Sequence, residues 1–341
     1  MLPLKRPIIL APMAGGPSTP ALCAAVTDAG GLGILAAGYL STEQFQQAVA
    51  EVEQLTSGAY GINLFSMPCR QSLSGQDLKD WQAYRALLEQ DPKVNVELPA
   101  KGNRTDDFYF DKLQIAADSA AKVLFFTFGY PDPAVIRELQ ARGKRVVLNA
   151  TTPEEIDYLA TSPCDAICVQ GKEAGGHRAT VLSSASDGAA HGAFELLAHA
   201  RSITDKAIIL AGGIGSAEDV ARAIKAGACA VSVGTAFLLA DEAGTKKTHR
   251  AALESLRGRP TCLTTAFSGR LARAIENGFI GQYGKVAPSL YPEVNYLTAP
   301  IRAAADQAGD PEYLNLWAGE GYERCQSGPA AGIVEQLASL L

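Results

Sequence analysis

Eight short runs of almost uninterrupted apolar residues recur along this chain, most of them ending in a small residue: I-I-L-A-P-M (8–13), L-G-I-L-A-A-G (32–38), Y-G-I-N-L-F (60–65), V-L-F-F-T-F-G (123–129), R-V-V-L-N-A (145–150), A-I-C-V-Q-G (166–171), A-I-I-L-A-G-G (207–213) and A-V-S-V-G-T (230–235). Hydrophobicity that does not alternate suits strands covered on both faces, as in a parallel sheet. Between most of the runs lie amphipathic stretches such as T-P-A-L-C-A-A-V-T-D-A-G, P-A-V-I-R-E-L-Q-A-R-G and S-A-E-D-V-A-R-A-I-K-A-G, each opened by Ser, Thr, Asp or Pro and closed by Gly. That is how a helix starts and stops. A right-handed strand–helix crossover repeated eight times can bring the last strand back to the first, so the pattern predicts an α/β fold of the (β/α)8 TIM-barrel type. A doubly wound open sheet is the alternative arrangement of the same units.

The rhythm breaks twice. Residues 66–122 are too long for one crossover and contain S-G-Q-D-L-K-D-W-Q-A-Y-R-A-L-L-E-Q, which predicts a helical insertion after the third strand. Residues 241–341 continue past the eighth unit, with a Gly/Pro/Tyr-rich stretch over 278–300 that reads as a lid or accessory layer. The barrel core is therefore expected in 1–65 and 123–240, with both additions completing one main domain.

Composition narrows the partners. A formal charge of −6 argues against a surface built for nucleic acid or an anionic membrane and favours a small-molecule ligand. Seven cysteines, at 23, 69, 164, 168, 229, 262 and 325, form no C-x-x-C and no zinc framework, so reduced thiols and a cytoplasmic location are expected, with no metal. No leader, lipid motif or membrane-spanning run is expected either.

Reactive residues of a parallel barrel belong at the C-terminal ends of its strands. After the sixth run comes V-Q-G-K-E-A-G-G-H-R-A-T, in which Gly175 and Gly176 permit close backbone approach and deliver His177 to the mouth. After the seventh comes A-G-G-I-G-S-A-E-D, a glycine turn into a helix start, where backbone N–H groups hold a phosphate without a basic side chain. After the eighth comes S-V-G-T-A-F, where Gly234 allows close approach and Thr235 offers a hydroxyl. Loops seven and eight are the usual phosphate site of this barrel, so a phosphorylated cofactor or substrate beside His177 is expected. Residues 31–36 match G-x-G-x-x-A but lead into a strand rather than out of one, so the dinucleotide mechanics fail. Cys164 and Cys168 flank the sixth strand and read as buried; His191, His199 and His249 read as structural or surface residues lacking convergent ligands. Arg178 and Lys172 are candidate contacts for a substrate anion, although each is more often a solvated side chain. Tyr109 and the tyrosines of Q-Y-G-K-V-A-P-S-L-Y-P-E-V-N-Y are candidates for covering the mouth.

Taken together, A-P-M-A-G-G, Y-G-I-N-L-F, C-V-Q-G-K-E-A-G-G-H-R-A-T, L-A-G-G-I-G-S, S-V-G-T-A-F-L-L, T-T-A-F-S-G-R-L-A-R and the late L-W-A-G-E-G resemble the flavin-dependent nitronate monooxygenases, formerly 2-nitropropane dioxygenases, over nearly the whole chain. E-A-G-G-H-R is the most specific piece. The resemblance implies an FMN enzyme that oxidises alkyl nitronates, propionate 3-nitronate among the candidates, with O2 to a carbonyl compound and nitrite. It implies His177 as the catalytic residue, Met13 and Asn63 near the flavin ring, Gln170 and Gly175 along the cofactor, Gly213 at the phosphate, and Ser232, Val233, Gly234 and Thr235 completing the cradle. The chain departs from the family at Ala179 (commonly Gly), Ser232 (commonly Gln) and Thr127, where many relatives carry His in F-H-F-G; the last departure implies an altered substrate preference. An NAD(P)H-dependent quinone or enoyl-thioester reductase on a related FMN barrel, and a catalytically silent phosphate-binding barrel, remain alternatives on sequence alone.

Overall fold

A computed structural model describes residues 4–66, 73–102, 105–183 and 187–341; Cys69 and the first residues of the insertion lie outside them. Each of the eight apolar runs forms a strand of one parallel sheet: β1 Ile8–Leu10, β2 Ile34–Ala36, β3 Gly61–Phe65, β4 Val123–Thr127, β5 Arg145–Ala150, β6 Ala166–Gln170, then, after the short β7 Gly176–His177, β8 Ala207–Ala211 and β9 Ala230–Val233. The order β1-β9-β8-β6-β5-β4-β3-β2 leaves β1 and β2 at the two ends. A parallel bridge between Ile9 and Leu32 joins those ends, with Leu10 N–H on Leu32 O (2.9 Å) and Leu32 N–H on Ile8 O (2.9 Å). The sheet is thus a TIM barrel, and the open-sheet alternative is set aside.

Two-sided burial explains the uninterrupted runs. Ile9, Ile34, Val123, Phe125, Val147, Ala166, Cys168, Ile209 and Ala230 fill the barrel interior, while Leu10, Leu35, Ile62, Leu124, Val146, Ile167, Leu210 and Val231 face the surrounding helices. The G-x-G-x-x-A match is packing: a Cβ on Gly33 would sit 1.9 Å from the Cys23 carbonyl of helix α1 (Pro20–Asp28). Only hydrogen fits there.

The insertion contributes two helices that go to different places. α3 (Gly75–Glu89) is capped by Ser74 and sends Trp81, Tyr84 and Leu88 into a second apolar core shared with the C-terminal segment, where the Tyr84 hydroxyl donates to Ala266 O (2.7 Å). α4 (Tyr109–Asp118) packs back against the barrel wall. Beyond β9 the chain adds an antiparallel pair, β10 (Thr261–Thr264) and β11 (Ala272–Ile275), then short helices including α11 (Glu293–Leu297) and α12 (Ala299–Ala308). β11 also pairs with β7, setting Ala272 against His177 and Arg273 against Gly176. The accessory segment therefore holds the histidine-bearing loop by a backbone ladder, and it forms part of the site. No helix among the described residues is long and apolar enough to cross a membrane.

Candidate active site

A cavity of about 420 Å3 opens at the C-terminal ends of the strands. That volume suits a cofactor-sized ligand. Its floor is made where inward-facing apolar positions give way to polar ones: Asn63 on β3, Thr127 on β4, Asn149 on β5, Gln170 on β6 and Ser232 on β9 all line it. The Asn63 amide donates to Thr127 Oγ1 (2.8 Å) and Phe125 O (3.3 Å), and the Asn149 amide donates to Phe126 O (2.7 Å). Thr127 thus sits between two amides as a neutral acceptor. Asn149 was not singled out from sequence, although the polar residue near the end of R-V-V-L-N-A follows the same pattern as Asn63 and Gln170.

At one end the walls are backbone. Gly212 and Gly213 both have positive φ (+109° and +72°), which an L side chain rarely adopts, so the turn leaving β8 needs glycine at both. The N–H groups of Gly213, Gly234 and Thr235 have no acceptor among the described residues, yet all three residues line the cavity. The start of helix α8 (Ala217–Lys225) is less open than its sequence implies. Ser216 Oγ caps Asp219 N–H and Asp219 Oδ2 takes Gly215 N–H (3.1 Å), so the free donors lie in the turn, ahead of the helix. Thr235 Oγ1 accepts from Gly319 N–H (3.0 Å), which draws the L-W-A-G-E-G segment over this end. Val233 lines the cavity with its backbone, since its side chain faces the outer core. Unpaired donors in a glycine turn suit a phosphate, and a flavin mononucleotide fits this end of the cavity on that ground.

The other end is built of side chains from distant parts of the chain. Gln170 clamps the loop after β6, its amide donating to His177 O (3.1 Å) and its carbonyl accepting from Ala179 N–H (2.9 Å). Gly175 lies on the wall where the tail crosses; a Cβ there would be 2.4 Å from Gly319 N. Met13 lines the cavity, but its N–H is taken by Ser18 Oγ (2.8 Å), leaving the thioether as its contribution, with Sδ 3.5 Å from where a Gly234 Cβ would stand.

His177 Nε2 lies 2.8 Å from Ser268 Oγ, and that hydroxyl is also 3.0 Å from Arg270 O. When the single hydroxyl proton goes to the carbonyl, Nε2 carries the imidazole proton and Nδ1 keeps its lone pair; when it goes to Nε2, the imidazole proton sits on Nδ1. The ring is packed among Trp317 (centroids 5.3 Å apart), Tyr291 (5.7 Å) and Phe128 (5.8 Å). Burial, reinforced by the positive charges of Arg270 and Arg302, lowers its pKa from 6.5 to about 3. The ring is neutral at physiological pH.

Tyr39, whose hydroxyl meets that of Tyr291 at 2.8 Å, lines the same end. Its backbone has φ +68°, stabilised by its N–H on Asp107 Oδ1 (2.9 Å), and Asp107 is itself in a buried ion pair with Lys112 of α4 (2.8 Å). Burial pushes the Tyr39 hydroxyl up to about 12, so it remains a proton donor. Tyr291 was among the tyrosines expected at the mouth, and Ser268 and Trp317 lie within T-T-A-F-S-G-R-L-A-R and L-W-A-G-E-G, whereas Tyr39 and Arg302 had no signal in spacing or motif; tertiary contacts bring all five together.

Several sequence expectations need revision. His249, expected as a structural or surface residue, is buried and lines the cavity, and its Nε2 has no hydrogen-bond partner among the described residues. Arg178 is almost wholly buried and donates to Gly188 O (2.7 Å), Gly171 O (2.5 Å) and Gln170 O (2.6 Å), so it braces the loop away from the cavity. Lys172 is exposed and outside the lining. Tyr109 packs on the outer core, and Tyr283 is buried on Asp91 (2.6 Å); Tyr296 does line the cavity. His191 and His199 pair with Glu195 and Asp157 (2.7 Å each) near the surface.

A family model described as nitronate monooxygenase matches residues 2–339. The chain belongs to the nitronate monooxygenase family. A probable nitronate monooxygenase from Staphylococcus aureus strain Newman is 34% identical over 346 residues, which span 99% of this chain and 94% of that protein. Among solved structures, the nitroalkane oxidase from Streptomyces ansochromogenes superposes with a TM-score of 0.93 at 39% identity, covering 99% of this chain and 96% of that one. FabK from Thermotoga maritima superposes with a TM-score of 0.74 at 22% identity, over 99% of this chain and 93% of its own, and shares the fold. As a member of this family the protein is a flavin-dependent oxidoreductase acting on a small molecule.

Proposed function

We propose that the protein binds FMN and oxidises alkyl nitronates with O2, releasing a carbonyl compound and nitrite. The observation that carries this reading is His177, held neutral with a pKa near 3 on the cavity wall. A neutral nitroalkane must lose an α-proton first, and a general base works best with a pKa close to the operating pH. His177 is far from that range. A nitronate arrives already deprotonated, needs no base, and benefits from the positive field of Arg270 and Arg302, which adds to burial in keeping the imidazole uncharged.

In this reading the N–H groups of Gly213, Gly234 and Thr235, with Ser232, hold the phosphate, and Asn63, Gln170, Gly175 and Met13 border the ring system. A flavin bound there supplies the electron transfer that the side chains cannot. His177 orients the nitronate in the tautomer in which Ser268 Oγ donates to Nε2, which leaves the ring proton on Nδ1 to donate to a nitronate oxygen. Phe128, Trp317 and Tyr291 exclude water around it, which strengthens each polar contact. Thr127, uncharged between two amides, leaves the opposite wall without a titratable group.

The test is the absorbance spectrum of purified protein followed by nitrite release from ethyl nitronate, propionate 3-nitronate and nitroethane in air. Flavin bands and faster turnover of the nitronates than of nitroethane are expected. Rapid anaerobic bleaching by NADH or NADPH, with no nitrite from any nitronate, would overturn the reading in favour of a reductase.

A further inference from the structure

Among the described residues, three cationic side chains line the cavity: Lys246, Arg302 and Arg324. Arg324 is neutralised by Asp219 (2.8 Å) and Lys246 faces Asp306 at 3.7 Å. Arg302 has no carboxylate partner among the described residues. Its Nε donates to Thr298 Oγ1 (3.2 Å) and its Nη2 to Asn295 O (2.5 Å) and Oδ1 (3.1 Å), while Nη1 has no acceptor among the described residues. The fork is thus pinned on the neighbouring turn with one donor arm unspent. A guanidinium so held loses little freedom on binding, and it cannot shed its charge at any physiological pH. Burial lowers its pKa, which records the cost of keeping a cation there without a counter-ion. The lone acidic lining residue among the described ones is Glu173, whose carboxylate accepts from Ala193 N–H (3.1 Å). A half-buried cation with a free donor on a ligand cavity is satisfied when an anion enters.

Resting on the nitronate reading above, we propose that Arg302 is the residue by which the cavity selects anionic substrates, its Nη1 donating to one oxygen of a planar oxyanion. Two groups have that chemistry: the nitronate oxygens themselves, or a carboxylate elsewhere on the same substrate. Tyr39, which lines the cavity and whose hydroxyl senses the charge of Arg302, completes the polar side of the subsite, with Tyr291 behind it holding that hydroxyl.

The experiment compares flavin-loaded wild type with R302M and R302K, using ethyl nitronate, propionate 3-nitronate and neutral nitroethane. In R302M the KM for propionate 3-nitronate is expected to rise about tenfold to a hundredfold, the range for losing a charge-assisted hydrogen bond, while that for nitroethane moves less than about twofold. An equal rise for ethyl nitronate assigns the contact to the nitronate oxygens; an unchanged value assigns it to the carboxylate. R302K, keeping the charge without the fork, should fall between, and it carries the test should R302M not fold. Nitrate, a planar oxyanion that is not turned over, titrated against the flavin spectrum gives a readout independent of activity, its Kd rising about tenfold in R302M. Parallel changes for anionic and neutral substrates, loss of flavin, or an unchanged nitrate Kd would overturn the proposal. Wild type that binds nitrate through Arg302 yet turns over no nitronate would sink the functional reading and leave the anion subsite standing.

Discussion

The two ends of the cavity are made of different material. The glycine-turn end consists of backbone from two consecutive strand–helix units, Gly212–Gly213 and Ser232–Thr235, where positive φ at both β8-turn glycines shapes the wall and the N–H groups of Gly213, Gly234 and Thr235 have no acceptor among the described residues. The histidine end consists of side chains separated by up to about three hundred residues, from Tyr39 to Trp317, and each is aimed by a partner that lies far away in sequence. Local geometry suffices to bind a phosphate. Positioning an uncharged imidazole in a water-poor wall takes a folded neighbourhood.

Substitutions can separate the two ends. The largest effect is expected from H177N: nitrite formation from nitronate falls about a hundredfold, the scale of misplacing a bound reactant, while bound flavin per chain stays as in wild type. Flavin loss in H177N would show that the two ends are one structural unit. G213V should do the reverse. A branched side chain at φ +72° costs on the order of 1–3 kcal/mol, so the flavin Kd rises roughly tenfold to a hundredfold, and activity returns when FMN is supplied in excess. Tight FMN binding by G213V would remove this turn from the cradle.

S268A sharpens the picture at the histidine end. It removes the hydroxyl 2.8 Å from Nε2, and losing one such bond is worth about 1 kcal/mol, so kcat falls about fivefold with flavin content intact. A change confined to KM would argue that Ser268 positions the substrate instead of the ring.

The smallest effect on turnover concerns pH, which acts on stability instead. Burial depresses the folded-state pKa of His177 to about 3 and that of His249 to about 4, each from an ordinary 6.5. Below 6.5 the unfolded chain takes up protons that the folded chain refuses. The stabilising effect of both rings is therefore complete above pH 6.5 and is lost progressively as pH falls towards 4 and then 3. The urea midpoint should decline across that window, less steeply in H177N, while kcat/KM for a nitronate shows no inflection from this histidine between pH 5 and 8. An inflection near 6.5 would show that the imidazole is solvated in the working enzyme.

How much was readable beforehand follows the same division. The eight strands stand where uninterrupted apolar runs place them, and helix starts follow the Ser, Thr and Pro positions, as at Thr19 and Ser216. Glycines of the β8 and β9 turns and His177 were also legible, because each sits at a fixed offset from a strand end. His249, expected as structural or surface, proves to be a buried helix residue on the cavity, since a helical segment with mixed charge gives no sign of which side meets a cavity. Arg178 was misread as solvated, because a sequence does not show that three carbonyls of one loop converge on its guanidinium. The C-terminal segment was read as a lid or accessory layer; the β7–β11 ladder also ties it to the loop that carries His177.

Sequence alone determined the barrel and the glycine end, because periodicity, capping and left-handed turns act over a handful of neighbouring residues. Tertiary structure alone decided that an imidazole would be neutral and that Arg302 would face the cavity without a carboxylate. Charge state and exposure depend on what lies within a few ångströms in space, and no spacing along the chain encodes that distance.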